Sequence, residues 1–227
     1  MSVFGTALVI GALGLDQTAF VQALFSQPLV GGVILGWSAG DPGSGLLAGA
    51  FFQFLCLTDL PVGASIPPDT SLAGLIGVAT FLMLGHPAGW GDQALLGLLA
   101  AGFLPVAIVA RRLDVRVRRA NLVWVRLTEK LLGQGRVRLA QVAANGGLLF
   151  FFLRAFAVAL AVLAAVALWG GAGLARAAVA APSFALFARC VPLIGLAALL
   201  SQRRRPGWPL SLAAGIAAGI LFTRTAA

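Results

Sequence analysis

Charge is scarce in this sequence. Only 10% of its 227 residues are charged, whereas a soluble domain carries about 25%. Apolar residues make up 60% of the chain. Because so little charge cannot cover a surface that faces water, the composition excludes an ordinary soluble domain. It predicts an all-α, polytopic integral membrane protein in which the lipid bilayer surrounds most of the chain.

Reactive side chains are equally sparse. His86 is the only histidine and lies in a Gly-His-Pro turn without neighbouring ligands, so no metal site is expected. Cys56 and Cys190 lie in apolar stretches without metal-ligand spacing, which favours packing roles. The sequence has no Ser-His-Asp set, P-loop or dinucleotide motif. No catalytic residue and no cofactor is therefore predicted, which argues against a self-contained enzyme.

Lysine is almost missing, and the basic residues are clustered. Fifteen of the sixteen are arginines, and nine of the sixteen lie between Arg111 and Arg138. Because the clusters lie between long apolar runs, they follow the positive-inside rule and do not indicate a nucleic acid partner. Arg111–Arg138 is predicted to be a cytoplasmic amphipathic helix that touches anionic headgroups or a partner. The alternative is a solvated helix with a purely topological role.

Several apolar segments approach the about 20 residues that a bilayer-spanning helix needs. They are Ala94–Ala110, Leu148–Trp169, Ala177–Leu200 and Pro206–Phe222. If the basic cluster is cytoplasmic, Gly170–Arg176 is expected to be an outer loop. No basic leader precedes the first apolar stretch, so a cleavable signal peptide is not expected.

The first 85 residues are apolar but repeatedly interrupted. Turn signals occur at Ser26-Gln27-Pro28, at Gly40-Asp41-Pro42-Gly43 and at Pro67-Pro68-Asp69. The pieces between such marks are too short for comfortable spans, and this is typical of half-helices and re-entrant hairpins. Such backbone is tolerated in a membrane where protein or a wet cavity satisfies it. The alternative is a set of ordinary loops between short tilted helices.

Three regions follow from these patterns. Residues 1–110 are expected to form a membrane region with re-entrant half-helices and the candidate site. Residues 111–145 are expected to form the basic cytoplasmic segment, and residues 146–227 the C-terminal transmembrane helices.

Two polar side chains stand out in the first region. Asp69 follows two prolines and precedes an apolar run, which predicts the N-cap of a half-helix whose free amides face a polar ligand. A cap without a ligand is the alternative. Gln53 lies among phenylalanines and needs a hydrogen-bond partner. Its amide suits sugar hydroxyls, and a helix-to-helix hydrogen bond is the alternative.

Four segments between about Gly14 and Leu84 carry a more specific pattern. They are Leu15–Phe20, Ser26–Val30, Gly40–Ala50 and Leu60–Asp69. This pattern resembles the IIC membrane component of the mannose/sorbose family of the bacterial sugar phosphotransferase system. The resemblance implies a multi-pass permease subunit of the inner membrane that carries a hexose.

The resemblance also implies partners. They are a IID membrane subunit and the cytoplasmic IIA and IIB phosphocarrier subunits, which phosphorylate the sugar as it is delivered, and an oligomeric assembly is expected. With this function, Gln53, Ser65, Asp69 and Thr70 are the predicted substrate-binding residues. The family usually has a glutamate where this chain has Gln53. The alternative function is a non-transporting membrane scaffold or a regulatory paralogue.

Overall fold

The computed structural model describes residues 2–17, 23–57, 68–85, 87, 90–201 and 213. Within these ranges all regular structure is helical, which confirms the predicted all-α fold. The helices are α1 (Val3–Asp16), α2 (Pro28–Ala39), α3 (Pro42–Cys56), α4 (Thr70–Leu84), α5 (Asp92–Gly133), α6 (Val137–Ala177) and α7 (Ala181–Ser201), with a 3-10 turn at Ala178–Ala180. Of the expected span Pro206–Phe222, only position 213 is described.

The first four helices are short, with 12 to 15 residues each. At 1.5 Å per residue they reach about 18–22 Å, less than the about 30 Å of a hydrocarbon core. Local signals set their ends. Pro28 and Pro42 occupy the first turns of α2 and α3. The amide proton that proline lacks would have no partner within the helix there, so its absence does not destabilise the helix. Gly40 ends α2 at φ 80°, and Asp41 caps α3 by accepting from the amide of Ser44.

Helices α2 and α3 form a hairpin whose backbones are in near contact. A Cβ atom added to Gly32 would lie 2.6 Å from the carbonyl oxygen of Gly45 and 2.9 Å from Cα of Gly49. Small residues at such crossings let helices approach closely in lipid. This hairpin places the N-terminus of α2 beside the C-terminus of α3.

Helices α5 and α6 are much longer, with 42 and 41 residues. Each measures about 60 Å, roughly twice the hydrocarbon thickness. They run antiparallel after the turn at Gly135, which has φ 71°. Among the described residues, two helical segments are long and apolar enough to cross a membrane, namely Asp92–Gly133 and Val137–Leu193.

The loop expected at Gly170–Arg176 is not observed. These residues continue α6 to Ala177, and the 3-10 turn then leads into α7. The loop was expected from the charge-based topology alone, and in an apolar environment helical hydrogen bonds are the main way to satisfy the backbone. Helix α7 packs on α5, where the rings of Trp90 and Phe184 stack with their centroids 6.3 Å apart.

The basic segment is part of a helical hairpin and does not form a separate helix. Helix α5 runs from the apolar stretch through Arg111 without a break, and α6 returns beside it. Trp124 of α5 contacts Phe150 of α6 with ring centroids 6.0 Å apart. The apolar face expected on this segment is largely exposed, as Val123 with 67% exposure shows. The boundaries expected after residues 110 and 145 lie inside α5 and α6. The division into three regions therefore stays a prediction about function.

The α2–α3 contact predicts that Gly32→Ala lowers the melting temperature of the purified protein in detergent. The added methyl group meets backbone atoms that cannot rotate away, and overpacking of this kind costs about 1–3 kcal/mol. Gly102→Ala in α5 is the matched control, because in the described part of the chain its added Cβ has no atom within 4 Å beyond its own stretch of helix. The control should be neutral or stabilising. Equal melting temperatures for the two variants would contradict the close approach.

Candidate functional site

Three ends of the short helices meet at one place. Pro28, the first residue of α2, packs on Gly74 of α4. The Sγ atom of Cys56, the last residue of α3, lies 3.5 Å from the carbonyl oxygen of Thr70, to which it donates. Two helix N-termini, which carry partial positive charge, therefore adjoin one C-terminus, which carries partial negative charge.

Asp69 caps α4, as the sequence predicted. Its Oδ1 atom accepts a hydrogen bond of 3.1 Å from the amide of Leu72. Its Oδ2 atom accepts a second one of 2.8 Å from Nη1 of Arg154 in α6. Its own backbone amide donates to the carbonyl oxygen of Ala107 in α5, at 3.2 Å. Asp69 therefore fastens the start of α4 to both long helices.

Arg154 also lies against a second carboxylate. Its Nη1 atom is 3.0 Å from Oδ1 of Asp114, an ion pair whose alignment is too poor for a hydrogen bond. Asp114 in turn accepts a 2.6 Å hydrogen bond from Nε of Arg118, whose guanidinium lies over the ring of Phe151. We call Asp69, Arg154, Asp114 and Arg118 the charge cluster. Two positive and two negative groups alternate in it, so its formal charges cancel.

Burial makes this cluster costly unless it is paired. Asp69, Asp114 and Arg154 are only 4–5% exposed. Removing one partner of a buried ion pair leaves an uncompensated charge and costs about 3–5 kcal/mol. Arg154 also lies within the apolar run Leu148–Trp169, and an ionisable group inside such a run marks a candidate functional site.

The cluster keeps unused hydrogen-bonding capacity. Within the described part of the chain, Nε of Arg154 and Oδ1 of Asn121 are buried and have no hydrogen-bond partner. Buried polar atoms are satisfied in the great majority of cases, by protein or by water. Asn121 lies seven residues beyond Asp114 in α5, so only the donor of Arg154 belongs to the cluster and is available there to a small polar molecule.

Gln53 makes the helix-to-helix hydrogen bonds that were the alternative for it. Its Oε1 atom accepts from the amide of Leu29 at 3.3 Å, and its Nε2 atom donates to Oε1 of Gln27 at 3.1 Å. Gln27 is the N-cap residue of α2 but makes no side-chain cap of its own. Gln53 supplies the missing acceptor from α3, so it holds the N-terminus of α2 in place.

Three of the predicted site residues, Gln53, Asp69 and Thr70, are described. Asp69 and Thr70 adjoin at the start of α4, and Cys56 links Thr70 to α3 one turn beyond Gln53. Whether any of them contacts a substrate stays a prediction. Ser65 lies outside the described residues.

The sequence analysis missed Arg154 and Asp114 as site residues. Arg154 was visible as a lone charge inside an apolar span, which is itself a signal. Asp114 lies within a run of basic residues and did not stand out as an intramembrane charge. However, it continues the buried stripe of Phe103, Ala107 and Ala110 at three- and four-residue spacing.

Comparison with known proteins identifies the family to which this architecture belongs. The family model described as "PTS system sorbose-specific IIC component" matches residues 1–216. The chain belongs to this family. The predicted relationship to the IIC permeases of the phosphotransferase system (PTS) is thereby confirmed, and the membrane fold agrees with it.

Curated relatives carry matching descriptions. The sorbose-specific EIIC component of Klebsiella pneumoniae is 29% identical over 123 residues, which cover 53% of this chain and 43% of the relative. The mannose-specific EIIC component of Escherichia coli K12 is 28% identical over 130 residues, which cover 52% and 48%. The fructose permease IIC component of Bacillus subtilis is 22% identical over 147 residues, which cover 65% and 52%. The chain thus matches about half the length of these relatives.

A solved structure titled "Structure of membrane protein" has the same fold. It superposes with a TM-score of 0.71 at 20% sequence identity, covering 92% of this chain and 81% of that one. At this identity the likeness concerns the fold alone.

The charge cluster predicts that Arg154→Met lowers the free energy of unfolding by about 3–5 kcal/mol, because it leaves the buried carboxylate of Asp69 without its cation and removes one of the two cations of Asp114. Arg189→Met is the matched control. Arg189 is an exposed arginine of α7 whose Nε donates to Gln93 at 2.9 Å. Unfolding in detergent followed by circular dichroism measures both variants. If the two lost the same small amount, the cluster would not be a structural determinant.

Proposed function

We propose that the chain is the multi-pass IIC permease subunit that translocates a hexose across the bacterial inner membrane, coupled to phosphorylation of the sugar by partner subunits. Membership of the sorbose-type IIC family supports this function. The descriptions of the relatives, which name sorbose, mannose and fructose, support a hexose. The family match does not favour the alternative of a non-transporting scaffold or regulatory paralogue.

The sugar path passes the start of α4, close to Gln53, Ser65, Asp69 and Thr70. The observation that carries this assignment is the meeting of broken helix ends beside the buried charge cluster. Broken helices whose ends meet inside a membrane are a general construction for solute sites in transporters. Here two helix N-termini and one helix C-terminus bring partial charges of both signs together.

The electrostatics of the cluster suit an uncharged, hydroxyl-rich solute. Because two carboxylates and two guanidiniums balance, a neutral hexose can enter without bringing or displacing a counterion. Sugar hydroxyls both donate and accept, so they can bond to a carboxylate such as Asp69 and to a donor such as Nε of Arg154. Arg154 acts in this scheme as a positioning residue that keeps Asp69 oriented.

Phosphorylation belongs to other subunits in this proposal. The partners are a IID membrane subunit and the cytoplasmic IIA and IIB phosphocarriers, within an oligomeric complex. The chain contributes the membrane passage and the sugar site, which agrees with a sequence that offers one histidine in 227 residues.

Asp69→Asn tests the sugar path. Asparagine still caps a helix but loses the charge that pairs with Arg154. We expect uptake of radiolabelled hexose, measured in cells that co-express the partner subunits, to fall at least about 100-fold, comparable to removal of a buried charge-assisted contact. Asp41→Asn is the matched control, because Asp41 also caps a short helix. It should keep uptake within about twofold.

The amount of protein in the membrane must be measured for both variants. Normal uptake by an Asp69→Asn protein that is present at the parental level would refute the site assignment.

Gln53→Glu should retain uptake. A carboxylate can still accept from the amide of Leu29, and a negative charge suits the N-terminus of α2. Gln27 can turn its own amide to donate to the new side chain. Gln53→Leu removes both hydrogen bonds and should reduce uptake at least about tenfold, by about 1.4 kcal/mol or more. Equal uptake by the two variants would show that this contact does not matter for transport.

A further inference from the structure

A cavity lined by arginines lies on the exposed face of α5. It measures about 430 Å³, and its lining residues are Ile108, Arg111, Arg112, Val115, Arg116 and Arg119. We call it the arginine cavity. Its four arginines are exposed and are not members of the charge cluster. The cluster uses Asp114 and Arg118 instead, with Asp114 on the buried stripe of the same helix.

The cavity brings four positively charged side chains together. Within the ranges that the structure describes, no carboxylate lies within ion-pair distance of any of the four arginines. Asp114, the nearest acidic residue in the sequence, is already paired with Arg118 and Arg154. Four guanidiniums within nine residues of helix, about 12 Å, repel one another and favour an anion with several acceptor oxygens.

The depth of the cavity in the membrane follows from the length of α5. The apolar stretch that begins at Ala94 ends at Ala110, and its 17 residues span about 26 Å. Arg111 and Arg112 therefore emerge where hydrocarbon meets headgroups. Arg116 and Arg119 follow further along the same helix, and because helical side chains lean toward the N-terminus of their helix, which here is the membrane side, they lean back toward that level.

An apolar surface continues below the arginines. Ile108 forms the membrane side of the cavity and is 37% exposed, and Leu104, one turn deeper, is 55% exposed. Along this face of α5, the surface is thus apolar at the level of the hydrocarbon and strongly cationic at the level of the headgroups. A phospholipid with a negative headgroup has the complementary order.

We propose that the arginine cavity binds an anionic phospholipid, with the phosphate held by the arginines and an acyl chain along Ile108 and Leu104. The planar guanidinium forms paired hydrogen bonds to phosphate oxygens, which a lysine could not match. The apolar continuation favours a lipid over a free phosphate compound, because the latter would gain nothing from those side chains. This lipid site does not depend on the sugar path, so each of the two proposals can be refuted without affecting the other.

Native mass spectrometry of the full chain, purified in a neutral detergent, tests the proposal. Phosphatidylglycerol and phosphatidylcholine with the same acyl chains are the two probes. We expect the apparent affinity for phosphatidylglycerol to be at least about tenfold higher, as expected for several arginines near one phosphate. The variant with Arg111, Arg112, Arg116 and Arg119 all changed to Gln should lose this preference.

The matched control changes Arg126, Lys130, Arg136 and Arg138 to Gln. It removes the same charge from exposed positions of the same hairpin, outside the cavity. It should keep the preference. If the fourfold cavity variant cannot be purified, Arg116→Gln with Arg119→Gln should still reduce the preference at least about threefold.

Three results would overturn the proposal. The cavity variant could keep the preference, or the control could lose it equally, which would indicate a general charge effect. In a competition arm, millimolar glycerol 3-phosphate could displace phosphatidylglycerol completely, which would indicate a site for a soluble phosphate compound. Failure of glycerol 3-phosphate to compete supports the lipid.

Discussion

The guanidinium of Arg154 lies between two carboxylates from different helices, Asp69 at the start of α4 and Asp114 in α5. Each of these charges loses several kcal/mol of solvation when it is buried, and only the others compensate for that loss. The three helices must therefore keep one relative position, because a shift of any one of them would leave a buried charge without its partner. Arg118 extends the pairing toward the basic end of α5 and balances the total.

The rest of the site is positioned by this constraint. With α4 fixed at its first residue, Cys56 and Thr70 meet, and the end of α3 is held against the start of α4. The close glycine contact between α2 and α3 then brings Gln53 to the start of α2. Each of these helices is too short to cross a bilayer by itself. The charge-balanced cluster and the meeting helix ends together form the candidate site.

The sequence predicted the parts of this arrangement that depend on local chemistry. The cap at Asp69 and the break at Gly40-Asp41-Pro42 follow from the conformations that proline, glycine and aspartate favour, and the structure contains both. The partner of Asp69 is 85 residues away in the chain, and no local pattern links the two. The loop predicted at Gly170–Arg176 was wrong. It was inferred from the placement of basic clusters, which does not fix where a helix ends, and glycines are tolerated within helices in lipid.

Chemical labelling of the two native cysteines tests the central claim, that a hexose binds where the short helices meet. Cys56 is half-buried and touches Thr70, whereas Cys190 is exposed on α7 and serves as an internal control. A small alkylating reagent, read out by mass spectrometry, reports both rates with and without the transported hexose. The account predicts that the sugar slows modification of Cys56 and leaves Cys190 unchanged. Identical rates at Cys56 with and without saturating sugar would contradict it.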